Sequence, residues 1–370
     1  MAQSNNNEFT NDYEALVVND TCLIDVRSPG EFKTSSIPGA VNIPLLTDEE
    51  RHRVGLTHRK EGSTTAIELA GNLVSGEKKE MLSHMWAAYL DLYPDAVMYC
   101  ARGGMRSATA ARWAEEKTGS PVLRVKEGYK GFRNYLLERL DPETIEARPV
   151  LVGGRTGSGK THLINSFANS IDLEAIANHR GSTFGRFTTP QPGQADFENR
   201  LAVALIKHNK AGFTHLVLED EGRHVGKRFL PKELSGFFSG GDLIVLEAQF
   251  EERVENIFQE YVVDSQEQFG GWGEPVDAMW RWFEEMNRSI ERIAKRLGSS
   301  LLEQAKALLE AGCYHQEENG DLDAHKHWIR LLLSHYYDPM YDYQLNKRKK
   351  SPLLTGRELV LRQYLRSLLN

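Results

Sequence analysis

The stretch 149–161, PVLVGGRTGSGKT, decides the fold of the second half of the chain. Val150, Leu151 and Val152 predict a short buried strand, and a glycine-dense turn follows them. Gly154, four intervening residues, Gly159, Lys160 and Thr161 meet the phosphate-binding P-loop pattern in full. The spacing has a mechanical reason. Glycines at 154, 157 and 159 let the backbone curl so that successive N–H groups converge on an anion. The helix expected near Lys160 adds the positive end of its dipole. The expected phosphate cradle is therefore Gly154, Arg155, Thr156, Gly157, Ser158, Gly159, Lys160 and Thr161, with Lys160 as a mobile charge and Thr161 as a hydroxyl for a phosphate-bound magnesium ion.

Downstream, 214–218 (THLVL) reads as the neighbouring strand, and it ends in Glu219, Asp220 and Glu221. Acids there are placed to hold magnesium or an attacking water, although acids also cap strands and form salt bridges without catalytic part. A third strand at 242–247 (DLIVLE) completes a core of three to five parallel strands. After Glu251 the pattern turns helical, and from Trp280 to the end it stays so, with Pro275, Pro339 and Pro352 as breaks.

Upstream, a helix is expected near 12–18 and strands at 22–26, within SIPGAVNIP, and at 95–100. Residues 47–93 read as polar helix with Ile67, Leu69, Leu73, Leu82, Met85, Trp86, Tyr89 and Leu90 as core positions. Helices at 107–117 and 131–140 bracket a further strand in VLRVKEGYKGFR. Such alternation implies a parallel sheet covered on both faces. DPETIEARP, with two prolines and little apolar content, marks a boundary near 145. The expected layout is α/β: a parallel-sheet domain at 1–145, a P-loop domain at 146–300 and a helical C-terminal extension at 301–370.

A chain of 370 residues suits more than one core. Its net charge of −7 means that nucleic-acid contact would need local basic patches. The polar, acidic start and the lack of a long apolar run predict a cytoplasmic protein with no membrane partner. Three cysteines, Cys22, Cys100 and Cys313, without metal-ligand spacing argue against a disulfide framework and a zinc site. Cys100 differs from the other two. In YCARGGMRS it closes a strand just before a helix, where loop N–H groups, Arg102, Arg106 and the helix dipole favour an anionic sulfur. Glycines and arginines around it make poor core packing.

IDVRSPGEF, IPGAVNIP and the Cys100 loop together resemble a rhodanese domain, over roughly residues 8–140. Such domains move sulfur as an enzyme persulfide. Here Cys100 and Arg106 stand as Cys-x5-Arg, one residue longer than the usual rhodanese loop, which suits a larger anion and also resembles cysteine phosphatases. Tyr99 in place of the phosphatase histidine speaks against the latter. With the P-loop half added, the chain resembles the bacterial tRNA 2-selenouridine synthases through YCARGGMRS, VGGRTGSGKT, NHRGSTFG (178–185), LVLEDEGR (216–223) and YYDPMYDYQL (336–345).

This resemblance implies a fold with an N-terminal rhodanese-like domain and a P-loop NTPase-like domain. It also implies an enzyme that geranylates 2-thiouridine at the tRNA wobble position with geranyl diphosphate and then installs selenium from selenophosphate. Cys100, Arg102, Arg106 and Lys160 become the expected catalytic residues, and the P-loop a diphosphate grip. No tightly bound cofactor is expected; magnesium is compatible. Selenium would be carried on Cys100 as a selenenylsulfide, with a selenophosphate-supplying enzyme as a partner. An apolar channel for the geranyl tail would draw on Phe184, Phe187, Phe237 and Phe238, although core packing is their more frequent role. For tRNA, the basic candidates are Arg180, Arg186, Arg223, Lys347, Arg348, Lys349 and Lys350, each by default a solvated charge. Two other readings stand beside this one: a P-loop kinase or ATPase fused to a sulfurtransferase, and a non-enzymatic sulfur-relay adaptor.

Overall fold

Short apolar runs bounded by turn residues build the first sheet in the computed structural model, which describes residues 8–185, 187–270, 275–347 and 351–369. The chain divides into two compact units, 1–145 with 193–211, and 146–192 with 212–370. In the first unit five parallel strands lie in the order Phe9–Thr10, Arg124–Val125, Val97–Tyr99, Leu23–Asp25, Val41–Asn42. The two central strands are buried along their whole length, as strands covered on both faces must be. Ile24, Val26, Met98, Ala110 and Trp113 form the core with Trp86, whose indole N–H donates to the carbonyl of Ile43 at 3.1 Å.

Residues 47–93 form three helices, Asp48–Glu61, Ser63–Leu73 and Gly76–Leu92. The third buries Leu82, Trp86 and Leu90, one stripe at i, i+4 and i+8. Met85 lies off that stripe and is 46% exposed, and Ile67 is 44% exposed on a helix whose buried residue is Ala66. Neither is a core residue, contrary to the expectation from pattern alone.

One helix of the first unit comes from far along the chain. Gln194–Lys210 follows the P-loop segment in sequence, yet buries Phe197, Leu201 and Leu205 within the first unit. Its polar contacts make the docking specific. Asp196 accepts from the Ser36 N–H at 2.8 Å, and Asn199 donates to the Ser36 carbonyl at 2.7 Å while accepting from Arg133 at 2.6 Å. Arg133 also pairs with Glu198, and Asn209 donates to the Thr144 carbonyl at 2.7 Å.

The second unit carries a four-stranded parallel sheet in the order Leu354–Gly356, Asp242–Leu246, Arg148–Gly154, His215–Glu219. The first of these corrects the expectation of helix to the C-terminus. Pro352 cannot continue a helix, and the residues after it pair with Ile244, Val245 and Leu246 as an edge strand. The helix Glu358–Ser367 then returns Leu361 and Leu365 to the core beside Val150 and Val152. A separate helical core gathers Trp282, Met286, Leu309, Cys313, Trp328 and Tyr337. Phe184 belongs to this core too, so it packs rather than lines a channel. Among the described residues no helix is long and apolar enough to cross a membrane.

Candidate active sites

The P-loop leaves the strand Arg148–Gly154 and enters the helix Lys160–Ile164. Gly157 has φ +80°, and a Cβ there would sit 2.7 Å from the Arg253 carbonyl oxygen, so both conformation and close approach require glycine. Lys160 folds over the loop, its Nζ donating to the Gly154 carbonyl at 3.1 Å. The Thr161 hydroxyl donates to the Glu219 carboxylate. Thr156 to Thr161 line a cleft of about 530 Å³, together with Glu174, Glu219, Glu221 and Tyr337.

A tight turn past the end of the strand His215–Glu219, with the Glu221 N–H donating to the Glu219 carbonyl at 2.8 Å, decides which acids meet there. Glu219 and Glu221 turn into the cleft, whereas Asp220 lies toward Gly153 and Tyr341. Glu174, beyond the reach of any local pattern, joins them. Carboxylate oxygens of Glu174, Glu219 and Glu221 all lie within 4.8 Å of one another. Burial, and then the charges of Glu219 and Glu221, push the Glu174 carboxyl up to about 9. Burial, then Glu219, pushes Glu221 to about 7. Glu219 is also raised, chiefly by burial, with Lys160 and the Thr161 hydroxyl opposing the shift. Gly181 closes the group: its N–H donates to Glu174, and a Cβ on it would stand 2.4 Å from both Glu174 and Glu221. Three carboxylates beside a hydroxyl offer the oxygen ligands that would hold a magnesium-type cation, which would supply positive charge to a phosphate in the cleft.

A second network fixes the loop from behind. Buried Arg253 donates from Nε to the Thr156 carbonyl at 2.8 Å and from its two terminal nitrogens to Asp338 at 2.5 and 3.0 Å. Arg155 pairs with Asp338 at 3.1 Å and Asp342 at 2.6 Å. Its guanidinium is thereby engaged outside the cleft, so of the expected cradle only its backbone remains available. Sequence spacing named neither Glu174, Arg253 nor Asp338, although Asp338 stood within the quoted YYDPMYDYQL stretch.

In the first unit the Cys100 loop connects the strand Val97–Tyr99 to the helix Met105–Thr118. Gly128 lies so close beneath it that a Cβ would collide with the Cys100 carbonyl oxygen at 2.2 Å. Tyr129 and Lys130 donate their N–H groups to the Cys100 and Ala101 carbonyls at 2.8 and 3.0 Å, which fixes those carbonyls on the side of 128–130. Cys100 is only 3% exposed, and the Ser107 hydroxyl donates to its sulfur at 3.2 Å. The same hydroxyl lies 3.1 Å from the Gly104 carbonyl, to which the Cys100 thiol also points at 3.9 Å. Arg102 is exposed. Arg106 instead makes paired contacts of 2.6 and 3.2 Å with Glu31. Burial alone would raise Glu31, but Arg106, the Ser28 N–H and Arg51 override it and hold the carboxyl at about 2.

Behind the loop, Asp25 and Arg27 form a buried pair at 2.6 Å, and Arg27 lies 3.9 Å from the Tyr129 ring centroid. This is the physical content of the DVR motif: it anchors the residues against which the cysteine loop rests.

Among the basic candidates, Arg180 is drawn inward, paired with Glu260 at 2.9 Å and set over the rings of Phe187 and Tyr261. Arg223 donates to the Leu230 carbonyl at 3.1 Å, and Lys347 lies 4.3 Å from the Tyr343 ring centroid. Arg186, Arg348, Lys349 and Lys350 lie outside the described residues.

Two family models match in tandem: one described as a rhodanese-like domain over residues 8–135, and one described as the tRNA 2-selenouridine synthase AAA domain over 147–370. The chain belongs to the tRNA 2-selenouridine synthase family. The family member from Sulfurovum sp. is 44% identical over 357 residues, 96% of this chain and 98% of the relative. The synthases of Marinobacter nauticus and Azotobacter vinelandii are 40% and 41% identical, covering 97% and 96% of this chain and 97% and 96% of their own lengths.

For a tRNA 2-selenouridine synthase of this form the acid cluster carries a stability signature. Below the ordinary carboxylate range the acids are protonated in folded and unfolded chains alike. As pH rises, the unfolded chain releases its protons first, while the folded cleft keeps them until about 7 at Glu221 and about 9 at Glu174, so folding weakens across that interval. Glu174→Gln removes part of this cost. With chelator present, its melting temperature relative to the parent is expected to rise by a few degrees at about pH 8 and to change little at about pH 5. Fluorimetry across that range checks it; a pH-independent difference would contradict the coupling.

Proposed function

We propose that this chain converts 2-thiouridine at the tRNA wobble position to 2-selenouridine through two transfers, one in each unit. The observation that supports this most strongly is the union, in one chain of the synthase family, of a buried cysteine on a strand-to-helix loop with a P-loop beside three acids. At the P-loop, the thiouridine sulfur attacks C1 of geranyl diphosphate and the C–O bond breaks. The base loses its N3 proton, and diphosphate departs into the N–H groups and the charge of Lys160. Alkylation turns sulfur into a better leaving group, because the S-alkyl base is neutral and electrophilic at C2.

The second transfer belongs to the Cys100 loop. The Cys100 thiolate adds at C2, the C2–S bond to the geranylthio group breaks, and the thiol leaves with a proton. Selenium of selenophosphate then displaces Cys100 from C2, and water cleaves the selenium–phosphorus bond to release phosphate. Selenium stays in its reduced state throughout. Carriage as a selenenylsulfide would demand an oxidant, so that expectation from the rhodanese resemblance is set aside.

Thr161, Glu219 and Glu221 would hold a magnesium ion, and Glu174 would complete its surroundings. Such an ion would supply charge to the leaving diphosphate when bound. The hydroxyl–carboxylate pairing at Thr161 equally suits a nucleotide, so ATP is the competing occupant. Reconstitution decides between them. The full chain, given a 2-thiouridine anticodon stem-loop and geranyl diphosphate without ATP, is expected to yield the S-geranyl nucleoside, then selenouridine once selenophosphate is added. Selenouridine formed only with ATP, and no geranylated nucleoside, would refute the reading.

A further inference from the structure

The first unit carries an apolar groove of about 950 Å³, at the upper end of the ordinary range for small-ligand sites. It lies among the helices Asp48–Glu61, Ser63–Leu73 and Met105–Thr118. Leu46, Val74 and Trp113 are buried along it. Two large apolar side chains that pack into no core, Ile67 and Met105, stand 44% and 58% exposed along it, and such exposure around a concavity marks a binding surface.

Position and charge narrow what the groove takes. Met105, Thr109, Arg112 and Trp113 form one face of the helix that starts at the end of the cysteine loop, and Ser107 of that same helix touches the Cys100 sulfur. Ser107 lies on the opposite face of that helix from the groove, but Met105 at the groove's end directly follows Gly104, whose carbonyl oxygen is 3.9 Å from the Cys100 sulfur, so one end of the groove reaches the cysteine loop. Among the described residues that line it, His52, His58, Arg59 and Arg112 border the apolar floor with no carboxylate, on a chain of net charge −7, while Arg51 and Arg106 are engaged by Glu31. The groove suits an alkyl chain attached to a polyanion. The aromatic cavity at Phe184 in the second unit, by contrast, is about 20 Å³, too small for any such chain.

We infer that this groove holds the alkyl group of the S-alkylated thiouridine while Cys100 attacks C2, with the bordering cations taking the flanking RNA phosphates. The inference rests on the two-transfer reading above and adds to it the site that recognises the intermediate. An apolar grip on the alkyl group distinguishes alkylated from unmodified RNA and draws the leaving thiol away from C2.

The test is to fill the groove. Gly71 borders it on an exposed helix face, and a Cβ there meets nothing within 4 Å, so Gly71→Trp adds bulk without a clash at its root. Ile67→Glu is an independent variant that places a carboxylate on the floor. Both are made in the full chain and compared with the parent for melting temperature, for geranylation of a 2-thiouridine stem-loop, and for binding and conversion of a chemically prepared S-geranyl stem-loop. The parent is expected to bind the S-geranyl stem-loop at least about tenfold tighter than the 2-thiouridine one, and both variants to lose that preference while geranylation continues.

Unchanged preference and unchanged KM for conversion in both variants would overturn the groove assignment. So would equal loss of geranylation and conversion, which would make the groove part of the alkylation site. If the parent itself neither forms nor converts the S-geranyl stem-loop, the two-transfer reading fails, and that result is distinct from either outcome in the variants.

Discussion

Serine in place of Cys100 is expected to cut selenouridine formation by on the order of a thousandfold or more while leaving geranylation of thiolated RNA within about twofold. The substitution is close to isosteric, and the site is built to keep its geometry. Cys100 is buried, its carbonyl is held by the Tyr129 N–H, and the Ser107 hydroxyl already faces the side chain. What changes is chemistry. A hydroxyl stays protonated where a thiol ionises, and it is a far weaker nucleophile at neutral pH. Nucleoside mass spectrometry on tRNA from cells carrying only the variant gives the readout: the S-geranyl nucleoside should accumulate. Normal selenouridine would remove Cys100 from the mechanism, and loss of both products would place it in a structural role.

The second large effect is expected at Lys160. Alanine there should lower kcat/KM for geranyl diphosphate by about a hundredfold or more, with the loss in both kcat and KM, because the ammonium meets charge that grows as diphosphate departs. Lys160 lies over the loop, 3.1 Å from the Gly154 carbonyl, and its charge is also the largest influence opposing the burial of Glu219. Its removal therefore weakens the anion site directly and, by favouring a protonated Glu219, weakens the hold that this acid would have on a cation. Conversion of a pre-alkylated stem-loop should remain unaffected. Titration of the variant with geranyl diphosphate and with ATP separates the two occupants; intact geranyl diphosphate binding with lost ATP binding would reassign the cleft to a nucleotide.

The features legible in the sequence are those whose physics is local. Strand, glycine turn, lysine and helix follow one another within 149–161, and Cys100 closes its own strand. The α/β class followed from strands short enough to be bounded by turn residues on both sides. Tertiary placement hid the rest. Glu174 meets Glu219 and Glu221 across the cleft from a helix of ordinary appearance. Arg253 reads as one charge among many on an amphipathic helix until its contacts with Thr156 and Asp338 are seen. Leu354–Gly356 is too short for any periodicity to declare it a strand, and its partner lies more than a hundred residues earlier. The spacing of Arg106 aims it at the sulfur, but its guanidinium pairs with Glu31, distant in sequence.

The docking of Gln194–Lys210 onto the first unit has a consequence for how this enzyme can be inherited and dissected. Because residues 193–211 belong with 1–145, the chain passes between the units at 145/146, again at 192/193 and again at 211/212. A gene segment ending at Ile145 thus encodes a first unit that lacks one of its own helices, with the seats of Phe197, Leu201 and Leu205 laid open to water. The two halves cannot be exchanged as contiguous cassettes, and a protease nick at 145/146 leaves them still joined through the stitch downstream.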